Sequence, residues 1–524
     1  MPITFQNSGY FSKIITDYLN QKKELKSFYG NFPTLENFKN QILQRKNNCN
    51  REVLVKSIRK QYCNINTSTL TSKNIELLAL NNTFTITTGH QLNLFTGHLY
   101  FIYKIISTIN LTQELQQEFP SYNFVPVYWM ATEDHDFEEI NHFSFNNNTI
   151  SWNNYQGGAV GEYQIDGLDE VFEEFSKCSN FSKNADYLRN LFENTYLKHQ
   201  NLADATRYLV NELFGKYGLV IIDANTTELK REFVPYIKKE LLEQVSFVHI
   251  SETIKQLSGY NIQIKPREIN LFYLTENSRE RIIKDTDENY KVLNTSLTFT
   301  PDELLSVVDS NPERFSPNVA LRPVYQEVIL PNICYIGGGG ELAYWLELKS
   351  TFDAFKLDFP ILLLRNSVLL ISDKQQKKLE KLGVTTEDLF LKKDDLIKLK
   401  TQQWADTDID FELLRKQIKI QIEQLRKAVS DTDISFIKAI NAQEVKQLKS
   451  LDELEKKLFK ANKKKLGNKL SRVEELHNQL FPNNNLQERV LNFSEFYQLY
   501  GARFLEVLFE QQKPLSQEFN IITL

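Results

Sequence analysis

Thr83-Phe-Thr-Ile-Thr-Thr-Gly-His-Gln-Leu-Asn-Leu-Phe-Thr-Gly-His98 begins with alternating β-branched residues, breaks at Gly89 and leads into apolar residues at helical spacing. The first six residues read as a strand. Thr96 stands where an N-cap belongs, and Leu99, Ile102, Tyr103, Ile106 and Ile109 recur with a period near 3.6, predicting a helix to about Glu118. Phe124-Val-Pro-Val-Tyr-Trp-Met-Ala131 is then a nearly continuous apolar run, the pattern of a strand buried on both faces. Strand, helix and buried strand in this order predict a right-handed βαβ unit with parallel strands. Open α/β sheets bind ligands beyond the carboxyl ends of their strands, which places Gly89-His90 and Glu133-Asp-His-Asp136 at one edge.

Further strands are predicted at Gly218–Ala224, Ile333–Ile336 and Phe359–Arg365, extending the parallel sheet into a Rossmann-like α/β core over about 81–372. Residues 1–80 show amphipathic helical periodicity, and helical and mixed insertions are expected over about 160–315 as connecting subdomains. From about 373 the composition turns to Lys, Glu, Gln and Leu with almost no glycine. Phe411, Leu414, Ile418 and Leu425 form one heptad-like series, and Leu451, Leu454, Leu458, Leu466, Leu470, Val473 and Leu480 a second. Two helices folding back as an antiparallel coiled-coil hairpin over 373–482 is the simplest arrangement, with 483–524 returning to the core.

The chain has 524 residues, 41% hydrophobic and 25% charged, with 62 basic against 67 acidic residues, which gives no general electrostatic attraction to nucleic acid or anionic membrane. No apolar stretch approaches the ~20 residues of a membrane span. Nor does the N-terminus have a signal-peptide pattern, so a cytoplasmic protein is expected. Cys49, Cys63, Cys178 and Cys334 lack CxxC spacing and read as reduced thiols. The run around Lys463, Lys464, Lys465 and Lys469 has no interleaved aromatics and reads as a solvated helix face.

Four groups of residues carry candidate chemistry. Gly89, His90, Gln91, Thr96, Gly97, His98 and Tyr100 flank the strand-to-helix turn, where backbone N–H groups can cradle an anion, and Lys104 follows on the helix. Glu133, Asp134, His135 and Asp136 repel one another unless a substrate amine, a cation or neighbouring donors compensate, and can serve as general base and amine site. A helix N-terminus favouring acids is the structural alternative. Gly337, Gly338 and Gly339 with Glu341 form a second strand–glycine turn–helix. Asn318, Arg322, Tyr325 and Arg365 complete the set, the arginines as carboxylate or phosphate clamps or as internal ion pairs. A metal centre built from His90, His98, His135 or His142 with Asp134 or Asp136 matches no standard spacing, and no metal site is predicted.

Thr-Gly-His-Gln-Leu-Asn-Leu-Phe-Thr-Gly-His (88–98), Val-Pro-Val-Tyr-Trp-Met-Ala-Thr-Glu-Asp-His-Asp (125–136), Ser-Pro-Asn-Val-Ala-Leu-Arg-Pro-Val-Tyr-Gln-Glu (316–327) and Tyr-Ile-Gly-Gly-Gly-Gly-Glu-Leu-Ala-Tyr-Trp (335–345) together resemble the cysteine-ligase (BshC) family of bacillithiol biosynthesis, along the whole chain. The resemblance implies a Rossmann-like core related to class I nucleotidyltransferases, connecting subdomains and a coiled coil that pairs two subunits into a homodimer. It implies a ligase joining the carboxylate of cysteine to the amine of glucosaminyl-malate, with ATP or another nucleotide activating the carboxylate. Thr87-Thr-Gly-His90 resembles the superfamily's histidine signature, with Thr96-Gly-His98 as a competing match. The lysine-rich second nucleotide loop has no evident counterpart, and Arg365-Asn366-Ser367 is the candidate for its place. The competing functional readings are a metal-dependent hydrolase using the His/Asp cluster and a non-catalytic coiled-coil scaffold with a ligand-sensing α/β body.

Overall fold

In the computed structural model, which describes residues 3–46, 49–406, 409–429 and 434–524, the expected βαβ unit is present. Strand β1 (Thr83–His90) leads through helix α1 (Tyr100–Glu118) to β2 (Asn123–Met130), parallel to it from Thr83 opposite Asn123 to His90 opposite Met130. Three more strands, β3 (Val220–Asp223), β4 (Asn332–Gly337) and β5 (Ile361–Leu364), complete a five-stranded, all-parallel sheet in the order β5-β4-β1-β2-β3. The chain winds outward from β1 to β3, then crosses back to start β4 on the other side of β1. That reversal is the topological switch point of a doubly wound sheet, and its crevice lies beside the carboxyl end of β1.

Burial on both faces explains why these strands read as apolar runs. Ile86, Phe84 and Phe124 pack with Ile333, Ile336, Ile361 and Leu363, with Leu111 and Leu115 of α1, and with Phe38 and Ile42 of the N-terminal helix Leu35–Gln44. Among the fully buried polar side chains, Thr87 Oγ1 donates to Asn332 Oδ1 at 2.8 Å and Thr88 Oγ1 to the Ile336 carbonyl at 2.8 Å. The threonines thus tie β1 to β4 across the switch point.

Two sequence expectations need correction. Helix α1 starts at Tyr100, not after Thr96: Phe95 and Thr96 have φ of 47° and 70°, Leu99 occupies the N-cap position, and no side chain caps the helix. The region 225–315 is also richer in strand than its helical patterning indicated. Its segments Leu271–Thr275, Ser278–Lys284, Tyr290–Val292 and Thr298–Phe299 form, with Phe315–Pro317, an antiparallel five-stranded sheet. These strands are short and half-exposed, so they carry little apolar periodicity. The region 160–215 is helical, with helices at Leu168–Cys178, Lys183–Tyr196 and Leu202–Phe214.

By its internal contacts the chain forms two units, residues 1–370 with 486–524, and residues 371–485. In the first, the C-terminal strand Glu518–Thr523 pairs antiparallel with Ile3–Thr4. The second contains helices Phe411–Ala428 and Ile434–Lys465, which run antiparallel: Arg415 meets Asp452 and Glu455, while Arg426 meets Asn441 and Glu444. This is the coiled-coil hairpin that the heptads predict. Among the described residues, no helix is long and apolar enough to cross a membrane.

Candidate functional site

A cavity of about 540 Å3 opens beyond the carboxyl ends of β1 and β2, beside the switch point. Its wall brings together twelve of the residues nominated by sequence: Gly89, His90, Gln91, Tyr100, Lys104, Glu133, Asp134, His135, Asp136, Asn318, Arg322 and Glu341. Gly89 sits where only a hydrogen fits comfortably, since a Cβ there would lie 3.3 Å from the Tyr335 hydroxyl and 3.5 Å from Arg322 Nη1. The missing side chain leaves room for the Tyr335 hydroxyl at the end of β1.

At one end the four ionisable residues after β2 are compensated by donors from elsewhere in the chain. Glu133 forms an ion pair with Lys230, which is fully buried and also donates to the Phe315 carbonyl, and Glu133 Oε2 accepts from Ser316 Oγ at 2.8 Å. Asp134 Oδ2 accepts from Gln91 Nε2 at 2.8 Å, and its Oδ1 from the His135 backbone N–H at 2.8 Å, with Arg279 Nη1 at 3.9 Å. Burial would raise the Asp134 carboxyl, but His135, Arg279 and Gln91 outweigh it and hold the group well below the usual carboxylate range. Arg279 lies 4.0 Å over the Phe272 ring and is anchored by Ser316 Oγ and the Pro317 carbonyl. Its Nη1 is 3.0 Å from His135 Nδ1. A guanidinium can only donate, so Nδ1 is the acceptor and the imidazole carries its proton on Nε2. Asp136 is exposed and is the one of the three carboxylates without an ion pair among the described residues.

Asp134, His135 and Asp136 can each present one ligand atom, all within 4.8 Å of one another. Asp134 Oδ2 accepts from Gln91 and His135 Nδ1 from Arg279, while His135 Nε2 and the Asp136 carboxylate are engaged by neither.

The other end is built around cations. Lys104, fully buried, donates to the Gly89 carbonyl and to both Glu341 oxygens at 2.8 and 2.9 Å. Burial pushes the Lys104 amine down, while for Glu341 the burial cost is outweighed by Lys104, the Tyr335 hydroxyl at 2.7 Å and the Gly338 N–H at 3.1 Å, leaving the carboxyl lowered. That pair is therefore a closed ion pair. Arg322 differs. Its guanidinium stands 5.7 Å from the Trp129 ring and 5.5 Å from the Tyr335 ring, with Nη1 donating to Gln326 Oε1 at 3.0 Å. Its Nη2 is buried and makes no hydrogen bond within 3.5 Å, the Tyr344 hydroxyl is its polar neighbour, and no carboxylate pairs with it among the described residues. His90 stacks on Phe101 at 5.0 Å, and its Nε2 is likewise buried and unpartnered. Burial, then the nearby Lys104 cation, pushes its imidazole well below the ordinary histidine range and keeps it neutral.

The remaining nominated residues lie off the cavity wall. Thr96, Gly97 and His98 belong to a turn held by the C-terminal segment, where Asn492 Nδ2 donates to the carbonyls of Phe95 at 2.8 Å and Gly97 at 2.6 Å. Tyr325 is buried with its hydroxyl on the Ala224 carbonyl at 2.7 Å. Gly337, Gly338 and Gly339 form the packed turn out of β4 into the helix Gly339–Trp345; a Cβ on Gly337 would meet Leu342 at 2.7 Å. Arg365 takes the internal ion-pair reading, with Nη2 on Glu488 Oε1 at 2.7 Å and Nη1 on Ser367 Oγ at 3.1 Å. Asn366 bonds Ser107, and all three residues of 365–367 are buried, so this segment is no mobile phosphate loop.

Sequence reasoning did not nominate Trp129, Asn225, Phe272, Arg279, Tyr335 or Tyr344, which line the same cavity, nor Lys230 behind it. Tyr335 and Tyr344 stood inside quoted motifs. Arg279 lies just after the turn Glu276-Asn277 of a hairpin, a local signal for the turn but none for its neighbour.

The chain matches two family models in succession: "Bacillithiol biosynthesis BshC, N-terminal Rossmann-like domain" over residues 1–366 and "Bacillithiol biosynthesis BshC, C-terminal coiled-coil domain" over 368–524. The chain belongs to the BshC family. Curated relatives of this family member named "Putative cysteine ligase BshC" include those of Flavobacterium johnsoniae, 55% identical over 100% of this chain and 99% of the relative, and Flavobacterium psychrophilum, 55% identical over 99% and 98%. The relative from Christiangramia forsetii is 51% identical over 99% and 98%. The BshC match thus spans both the cavity-bearing unit and the hairpin.

Proposed function

We propose that this chain is an amide-forming ligase of bacillithiol biosynthesis that joins the carboxylate of cysteine to the amine of glucosaminyl-malate, with ATP or another nucleotide activating the carboxylate. The observation that carries this reading is a single cavity at the switch point with an acidic end for amines and, at the other end, an arginine whose Nη2 makes no hydrogen bond. Relatives bearing the cysteine-ligase name match the chain from end to end.

Amide formation from a free carboxylate in water is uphill, and a nucleotide supplies the leaving group that makes it proceed. On the cavity wall Arg322 Nη2 makes no hydrogen bond and the neutral His90 leaves Nε2 unpartnered, so the arginine is the cation that can meet an anionic group, with the imidazole beside it. A charge-assisted bond from Arg322 would hold a carboxylate oxygen of one of the two substrates where Lys104 and Glu341 cancel each other. At the far end Asp136 receives the amine as ammonium and takes its proton for attack, with Asp134 held ionised beside it. His135 orients this end, because Arg279 occupies the nitrogen a base would use. The hydrolase reading has in its way the bonds from Gln91 to Asp134 and from Arg279 to His135 Nδ1.

In the hairpin, Leu413, Ile420, Leu425, Phe436, Val445 and Leu454 are each more than half exposed in the single chain. A second copy pairing through this face would cover them, and deletion of residues 411–480 should convert a dimer to a monomer in light scattering. A monomeric full-length protein would remove this part of the proposal. For the reaction itself, purified protein with L-cysteine, glucosaminyl-malate and ATP should yield the cysteinyl amide by mass spectrometry. Failure with ATP and with every other nucleoside triphosphate would sink the ligase reading.

A further inference from the structure

Behind Arg322 lies a chain of buried polar side chains that the proposed chemistry does not use. Nη1 of Arg322 donates to Gln326 Oε1 at 3.0 Å, Gln326 Nε2 to Glu327 Oε1 at 2.9 Å, and Asn332 Nδ2 to the same Glu327 oxygen at 2.6 Å. Asn332 Oδ1 in turn accepts from Thr87 Oγ1 at 2.8 Å. Gln326, Glu327, Asn332 and Thr87 are each at most 1% exposed. Nothing here bonds to solvent, so the direction of each amide is set by its neighbours.

We infer that Glu327 and Gln326 are positioning residues: the Glu327 carboxylate fixes the Gln326 amide so that its carbonyl, not its NH2, faces Arg322, and this holds the guanidinium at the cavity wall, where it can receive an anion. The hydroxyl of Thr87 on Asn332 Oδ1 leaves the Asn332 NH2 facing Glu327. A carboxylate has only acceptors, so it draws the NH2 ends of both Asn332 and Gln326 toward itself. The carbonyl of Gln326 is then the only end left for Arg322. Without the carboxylate, the Gln326 amide is free to turn, and an NH2 group facing the guanidinium would push it out of place. The side chain of Glu327 therefore acts at the mouth of the site without touching a ligand.

An isosteric amide at 327 exposes the logic. Glu327 Oε2 lies 3.5 Å from Arg45 Nη2, so Gln at this position must aim its NH2 either at that guanidinium or at the two amides it now receives. Both choices oppose donor to donor. The charged groups facing Glu327 are Arg45 and Arg322, with the Cys334 thiol as a further titratable neighbour. Burial lifts the Glu327 carboxyl to about 7, against these arginines and the two amides, so proton uptake by this group falls within the range where binding can be measured.

The inference rests on Arg322 being the anion receptor of the proposed ligase, and the test separates the two. Binding of L-cysteine and of glucosaminyl-malate to the full-length protein is titrated calorimetrically for wild type, Arg322→Ala, Gln326→Met and Glu327→Gln, with thermal melts confirming that each variant is folded. Arg322→Ala should weaken one of the two ligands at least 30-fold. The same ligand, and not the other, should bind roughly tenfold more weakly to Gln326→Met and Glu327→Gln. In wild type its affinity should fall as pH drops through about 7, and Glu327→Gln should flatten that profile. Binding within twofold of wild type in both relay variants, with the pH profile retained, overturns the inference while Arg322→Ala still supports the reading of the site. Unchanged binding of both ligands in Arg322→Ala overturns the reading of the arginine and the inference with it.

Discussion

The two ends of the cavity are built by opposite rules. After β2, Glu133, Asp134 and His135 look unbalanced in the sequence, yet Lys230, Arg279, Ser316 and Gln91 neutralise or bond each of them. Arg322 looks ordinary in the sequence, yet it keeps a buried nitrogen that makes no hydrogen bond. Local charge density therefore marks where a folded protein needs compensation, whereas an incomplete set of partners marks where it can bind something else. The difference can be tested end by end.

The largest expected effect is on stability at the compensated end. Lys230→Met strips the partner from a buried carboxylate and should cost about 3–5 kcal/mol, the range for breaking a buried pair; denaturant unfolding measures it. A loss below about 1 kcal/mol would mean that Glu133 is solvated and that this end is not closed. At the open end Arg322→Ala leaves the buried Gln326 carbonyl without its donor and should cost about 1–3 kcal/mol of stability, less than Lys230→Met, but should reduce kcat/KM by roughly 30- to 1,000-fold, the equivalent of about 2–4 kcal/mol of lost charge-assisted binding. Equal activity would dissolve the contrast between the two ends.

The pH dependence of stability sharpens it further. The Asp134 carboxyl is lowered in the folded state, so its stabilising contribution is present above the unfolded carboxylate range and is lost as pH falls below about 4. Asp134→Asn should accordingly be less stable than wild type at neutral pH, with the gap closing toward acid; a gap independent of pH would contradict the ionised assignment. The smallest effect is expected from His98→Asn, which lies in the turn held by Asn492 and off the cavity wall. Steady-state kinetics within twofold of wild type are predicted, and a tenfold loss would return the 96–98 turn to the site.

Much of the fold was legible because parallel strands buried on both faces advertise themselves. Thr83–Thr88, Phe124–Ala131, Gly218–Ala224, Ile333–Ile336 and Phe359–Arg365 all contain core strands. The hairpin was legible for the complementary reason, its long heptad series. The antiparallel sheet over 271–317 was missed because its strands are short and the charged run Arg279-Glu280-Arg281, whose first member turns into the cavity, masks the alternation. In the site, residues adjacent to the ends of β1 and β2 could be nominated from the strand pattern alone. Lys230 and Arg279 could not, since only the packing of the second sheet and its neighbouring helix against the loop after β2 makes them neighbours. Thr96-Gly97-His98 resembles Thr88-Gly89-His90 in sequence but not in place: one glycine–histidine pair lies on the cavity wall at 89–90 and the other in a packed turn at 97–98, and the segment that distinguishes them lies near residue 492.

The most direct test pairs the reaction with the arginine. Purified wild type and Arg322→Ala are each given L-cysteine, glucosaminyl-malate and ATP, and the cysteinyl amide is followed by mass spectrometry through a single turnover. Amide should form with wild type and at least 30-fold more slowly with Arg322→Ala. Equal rates in the two proteins would contradict the role given to the Arg322 guanidinium, and no amide from wild type with any nucleoside triphosphate would contradict the ligase itself.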